Sequence, residues 1–210
     1  DSRNFIPKGI EQGLRVRFQP LERLGIEAFG GMVIDSSNGD YRGAAGSIEI
    51  IGRVLQQERH YINMDLGAGY IYDYRGDHVP RVRLTLGRSF DALDISLSGL
   101  VEIPVGSAGR DEVDVMTSFA LSYGFFDWYR LGLEIAGEDL EGFFDPDEAE
   151  GGAKLLFGPT MSFDLPADFY LKFNAAAVYA HTSNQTVQPG SSKPDTWGFM
   201  GRLVLGWVWR

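Results

Sequence analysis

The chain contains no cysteine, which excludes disulfide frameworks, thiolate zinc sites and cysteine nucleophiles. Its three histidines, His60, His78 and His181, lie far apart and form no HExxH or other metal-ligand spacing. No stretch approaches the ~18 consecutive apolar residues of a membrane-spanning helix, so a helical membrane protein is excluded as well. Basic residues are outnumbered 29 to 19, for a net charge of −10 over 210 residues. A nucleic-acid binder needs a basic face to displace counterions from phosphate, and no nucleic-acid partner is expected. Asp1 opens neither a basic stretch nor an apolar core, and the expectation is that any export signal has been removed. What the chain does have is glycine, 27 residues, and aromatics at 13%, a pairing that favours β architectures with tight turns and aromatic belts.

Apolar residues recur with period 2 in segments of about ten residues. Over 153–165, Ala153, Leu155, Phe157, Pro159, Met161, Phe163 and Leu165 share one face, while Lys154, Gly158, Thr160, Ser162 and Asp164 share the other. Similar alternation predicts strands over 13–19, 25–35, 43–55, 60–73, 80–90, 93–103, 113–126, 128–137, 169–181 and 196–209. The connections alternate between tight turns, at Asp91-Ala92, Asp127 and Pro166-Ala167-Asp168, and long polar ones at 104–112, 138–152 and 182–195. One smooth rim and one loop-bearing rim predict an all-β fold, an antiparallel up-and-down transmembrane barrel of 10–12 strands. Residues 1–12 read as an N-terminal segment and 13–210 as a single barrel domain. The stretches Arg17–Glu27 and Gly124–Glu134 echo one another, and both read as hairpins at the smooth rim.

The polar face decides which side is outside. It mixes small residues with charges of both signs, as a narrow lumen requires. Arg53, Arg81, Arg83, Glu102, Arg130, Glu134, Lys154, Lys172 and Arg202 are the expected lumen-lining residues. A two-residue turn at Asp91-Ala92 sets Arg81 opposite Glu102 and Thr85 opposite Ser98, and the turn at 166–168 sets Ser162 opposite Lys172. The aromatics of the apolar face gather at strand ends, as membrane-interface girdles do. Phe90, Phe125, Tyr129, Phe163, Phe169, Trp207 and Trp209 fall near the smooth rim, and Tyr70, Tyr72, Tyr179, Trp197 and Phe199 near the loop rim. Arg88 and His181 share the outward parity, both close to strand ends. The competing reading is a soluble sandwich or lipocalin-like barrel with the apolar face as its core; it would have to bury all twelve rim aromatics.

By this pattern, over nearly its whole length, the chain resembles bacterial outer-membrane β-barrels. Its last segment, Gly201-Arg202-Leu203-Val204-Leu205-Gly206-Trp207-Val208-Trp209-Arg210, is similar to the aromatic-terminated strand that such proteins present to their assembly machinery, except that it ends in Arg210. The phrase Leu121–Leu133 is similar to turns in small porin-like families tied to uptake of aromatic compounds. The resemblance implies residence in a bacterial outer membrane, contact with its lipid and lipopolysaccharide, and no cofactor. An up-and-down barrel with both ends at one rim needs an even strand count, whereas eleven segments are legible. Either 13–19 stays outside, leaving ten strands, or one more is present, making twelve; the echo around Phe18 favours twelve.

Motifs for chemistry are sparse. Asp77-His78 falls in a candidate outer loop and reads as solvated loop before it reads as a catalytic base. His181 precedes Thr182 and Ser183 without a triad signature. The acidic stretch 138–150 carries seven carboxylates, of which Asp145, Asp147 and Glu150 are the weak candidates for a Ca²⁺ site, although the spacing is not that of an EF-hand. Arg75-Gly76-Asp77 consists of ordinary turn residues. The leading functional expectation is a narrow passive channel for small solutes with a charged lumen. The alternative is a non-transporting barrel that binds envelope or surface partners through its loops or its N-terminal segment, where Phe5-Ile6-Pro7 could dock; an enzyme ranks third.

Overall fold

The computed structural model describes residues 8–35, 41–72, 77–105, 113–138, 140, 153–181 and 197–209. Eleven strands form one closed barrel: β1 (Lys8–Leu21), β2 (Leu24–Asp35), β3 (Tyr41–Leu55), β4 (Asn63–Tyr72), β5 (His78–Phe90), β6 (Leu93–Glu102), β7 (Asp114–Phe126), β8 (Tyr129–Glu138), β9 (Ala153–Asp164), β10 (Phe169–His181) and β11 (Trp197–Trp209). A single helical turn, α1 (Gln57–His60), joins β3 to β4. Sequential strands pair antiparallel all the way round, and the wall closes by pairing β1 with β11 in parallel, from Lys8 opposite Phe199 to Phe18 opposite Trp209. Closure leaves no unpaired sheet edge.

The period-2 pattern is realised with the apolar set outward. Ile48, Ile50, Val82, Leu97, Leu133 and Phe199 are each more than half exposed on the outer surface, while Glu11, Glu49, Arg81 and Glu102 are at most 3% exposed inside. This is the reverse of a soluble sandwich or lipocalin, whose apolar face would be the buried one. The short-turn rim carries the connections at 22–23, 56–62, 91–92, 127–128 and 165–168. Three of these connections use left-handed backbone: Tyr61 has φ 64°, Asp91 has φ 49°, and Ala167 and Asp168 have φ 60° and 61°. Aspartate tolerates that region well, whereas the alanine is held in it by the turn.

The expected registers hold. Arg81 pairs with Glu102, Thr85 with Ser98, and Ser162 with Lys172. Both echoed hairpins turn at the short-turn rim, each with an irregularity just before the turn, at Phe18/Leu21 and at Gly124/Phe126. The strand count differs from the preferred twelve, and the parity rule behind it does not apply. The segment read over 13–19 begins at Lys8, long enough to line the full height of the wall, and it runs in the same sense as β11. A parallel seam lets eleven strands close with their two ends at opposite rims. At β4 the strand begins at Asn63 rather than 60, because Gln57–His60 winds into α1, with Tyr61 left-handed at its end. Phe5-Ile6-Pro7 lies outside the described residues.

The absence of native cysteine makes the seam directly testable. In a Leu14→Cys/Leu205→Cys variant the two cysteines occupy paired positions across β1 and β11. Mild oxidation of the folded protein is expected to close an intramolecular disulfide that shifts gel migration. A ten-stranded barrel with β1 outside the wall would leave both thiols free to alkylation.

Candidate functional site: the charged barrel interior

Inward positions from β1 to β6 fall on one hydrogen-bonding row. Arg17 lies opposite Glu27, Glu27 opposite Glu49, Glu49 opposite Gly69, Gly69 opposite Arg81, and Arg81 opposite Glu102. Two carboxylates directly opposite, Glu27 and Glu49, would destabilise the sheet if left alone. Each is met by cations from its own row or the next. Arg15 lies 3.6 Å from Glu27, and Oε2 of Glu49 accepts from Arg81 Nη2 at 3.0 Å and Arg83 Nη2 at 2.9 Å. Arg81 Nη2 also donates to Ser47 Oγ at 3.1 Å, and its Nη1 lies 4.0 Å from Glu102. Room for this cluster comes from β4, where Gly67 and Gly69 present no side chain. A β-carbon on Gly67 would stand 2.1 Å from Glu49 Oε1.

A second cluster spans the seam. Arg202 Nε donates to Glu11 Oε2 at 2.6 Å, joining β11 to β1, and Asn174 Nδ2 donates to Glu134 Oε2 at 3.3 Å. Glu134, Asn174 and Arg202, with Arg15, Tyr170 and Lys172, border a cavity of about 30 Å³, the room of a single water. Toward the loop rim Lys154 meets Glu138 at 3.3 Å, and the interior turns apolar. Val33, Ala45, Ile71 and Val79 form one buried cluster; Ala136, Leu156, Ala176, Val178 and Met200 form another. Toward the short-turn rim the lining is ionic and partly exposed: Arg53 is bidentate to Asp65 at 2.7 and 3.0 Å, and Arg130 pairs with Asp94.

All nine lumen-lining residues read from the sequence therefore stand on inward positions. Arg81, Glu102, Glu134 and Arg202 are buried, Arg53, Arg83, Arg130 and Lys154 are half-buried, and Lys172 is exposed. Glu11, Arg15, Glu27, Glu49 and Asp65 complete the lattice, Arg17 stands inward beside it, and all six escaped the sequence reading. Glu49 sits within Ile48-Glu49-Ile50-Ile51, an apolar run that hides its alternation. The inward apolar clusters were also missed, although Ala176 and Val178 share their parity with Lys172 and Asn174.

The girdle residues face outward in two groups. At the short-turn rim Tyr129 packs on Phe125 and Phe163, Phe169 on Trp207, and Trp207 on Trp209, which meets Phe18 at a centroid distance of 5.0 Å. Trp128 adds a ring that the sequence reading did not include, between Phe126 and Phe163. Phe90 is covered by the Arg88 guanidinium, 4.4 Å above its ring, which accounts for an arginine on the apolar face. At the loop rim Tyr179 packs on Trp197, and Tyr70 and Tyr72 both contact the His78 ring. The Tyr70 hydroxyl is hydrogen-bonded to Nδ1 of His78, so this histidine belongs to the outer aromatic belt. His181 ends β10 on the outer face; Thr182 and Ser183 lie outside the described residues, as do Asp145, Asp147, Glu150, Arg75 and Gly76. Among the described residues no group of three or more His, Asp or Glu side chains could hold a metal ion. No protein-family model matches the chain, and no curated protein matches it.

Removing one member of a buried ion cluster leaves its partners uncompensated, so Arg81→Met is expected to cost ~3–5 kcal/mol of stability. Gly67→Ala, which forces the Glu49 carboxylate aside, should cost ~1–3 kcal/mol. Urea unfolding of the detergent-refolded protein measures both; two midpoints equal to that of the parent would mean the lattice does not hold the wall together.

Proposed function

We propose that the chain is a bacterial outer-membrane β-barrel that acts as a narrow passive channel for small polar solutes. The observation that carries the membrane part is the inversion of polarity: large apolar side chains exposed around the outside, and ionised ones buried within. Hydrocarbon outside offers no hydrogen bonds, and a closed barrel whose backbone groups are paired in the wall is one of the two structures that tolerate it. The outer aromatic belts fit the two membrane interfaces, so lipid and lipopolysaccharide are the partners of the outer face. The channel part is supported by the interior, where ion pairs of both signs run from the short-turn mouth toward the middle of the barrel and replace water for a polar solute.

A second reading, a sealed barrel that presents its loops or N-terminal segment to envelope partners, is favoured by one observation. The inward clusters around Val33 and Leu156 on the loop side are almost wholly buried, and an apolar constriction of that kind blocks ions by excluding water.

Two measurements test these readings. Detergent-extracted protein is expected to migrate differently on a gel before and after boiling; a monodisperse, compact species in plain buffer would end the membrane reading. Pure refolded protein in planar bilayers is expected to give small single-channel steps, with Glu102→Gln shifting the reversal potential toward anion preference. Complete absence of current from heat-modifiable protein would assign the sealed barrel instead.

A further inference from the structure

We infer that the short-turn mouth of the barrel holds a binding site for an oxyanion, the carboxylate or phosphate group of a small solute. A cavity of about 90 Å³ opens there, lined by Arg17, Gln19, Arg23, Gly25, Arg53 and Asp65 among others. Three guanidinium groups meet at one wall of a chain whose net charge is −10. Their engagement differs. Arg53 is committed to Asp65 through two hydrogen bonds. Arg23 Nη2 donates to Gln56 Oε1 at 3.2 Å, and Gln19 Nε2 donates to the Glu22 carbonyl oxygen at 3.2 Å.

Arg17 is the exception. Its cross-strand neighbour Glu27 is engaged by Arg15. Arg17 makes no ion pair among the described residues, and its buried Nε has no hydrogen-bond partner there. A guanidinium with spare donors, flanked by two others held in place by Asp65 and Gln56, is a preorganised fork for a planar or tetrahedral oxyanion. Asp65 does not oppose this, because Arg53 neutralises it; Glu22 at the rim of the cavity limits the site to one anionic group. At ~30 Å³ of liquid volume per water, the cavity has room for a carboxylate or a phosphate, with the remainder of a solute lying in the open mouth. Gly25 keeps that room clear: a β-carbon there would stand 3.3 Å from Arg17 Nε. The site does not depend on conduction and would serve a channel or a sealed barrel alike.

Calorimetry on the detergent-refolded barrel, with inorganic phosphate or acetate titrated against a chloride control of matched ionic strength, tests the site. Binding at ~1–10 mM is expected, and the phosphate and acetate arms distinguish the two oxyanions. Arg17→Gln is expected to weaken binding at least roughly tenfold. Gly25→Val, which fills the cavity without removing a charge, should abolish it, and Arg88→Gln, on the outer face near the same rim, should bind as the parent does. Heat-modifiable migration checks that each variant is a folded barrel; should Arg17→Gln fail that check, Gly25→Val decides. Folded parent protein that takes up neither anion, or an equal loss in Arg17→Gln and Arg88→Gln, overturns the site while leaving the barrel and channel readings standing.

Discussion

Closure of the wall is the constraint on which the rest of the structure depends. A sheet of this length left open would present two long edges and an unshielded ionic face. Joining β1 to β11 removes both at once. The join is parallel because the two strands run in the same sense, and it is fixed on both faces. Arg202 and Glu11 meet across it inside, while Phe18 and Trp209 meet across it outside. The inner contact is an ion pair that closure itself takes out of water. Such a pair is strong only when its geometry is good and its remaining donors find partners, so register at the seam and order in the lumen are coupled.

Once the wall is closed, the interior has to be filled, and two devices fill it. Long side chains of opposite charge reach across from different strands, as Arg83 and Arg81 do toward Glu49. Aromatic rings occupy the space left at glycines: a β-carbon on Gly206 would stand 2.0 Å from the Tyr170 ring, and one on Gly13 2.2 Å from the Phe29 ring. The glycines on inward positions therefore set where the large side chains go. This explains why glycine is abundant in strands that would otherwise be weakened by it. The loop-side half is filled differently, by aliphatic packing around Leu156 and Val33, so the lumen passes from ionic to apolar along its axis.

Much of this was legible in the sequence because a single parity governs each strand. The eleven segments, the inward charges of β5 to β11 and the aromatic belts all follow from period 2 combined with turn chemistry. Three features did not follow. Glu49 and Ile51 sit in an apolar run, where alternation is invisible. The inward aliphatics at Ile71, Val79 and Val178 carry no polar label of their own, and only the parity of their strand neighbours places them inside. The parallel seam depends on a pairing between residues almost two hundred positions apart, for which neither strand carries a local signal. The parity argument failed at this point: it assumed antiparallel closure, a rule about how barrels usually close rather than a property of these residues.

The distribution of charge gives the barrel a direction. Inside the wall, acids and bases are interleaved and largely cancel, so the excess of acidic residues lies mainly elsewhere. Seven of the carboxylates fall in 138–150, in or beside the connection from β8 to β9 at the loop rim. At the opposite mouth Arg17, Arg23 and Arg53 share one cavity with Glu22 and Asp65. Fields of this kind act over about a Debye length, ~8 Å at physiological ionic strength, and they set which ions are concentrated at each opening. The balanced lattice inside the wall, with acid set against base on neighbouring strands, serves closure and stability rather than a net field along the axis.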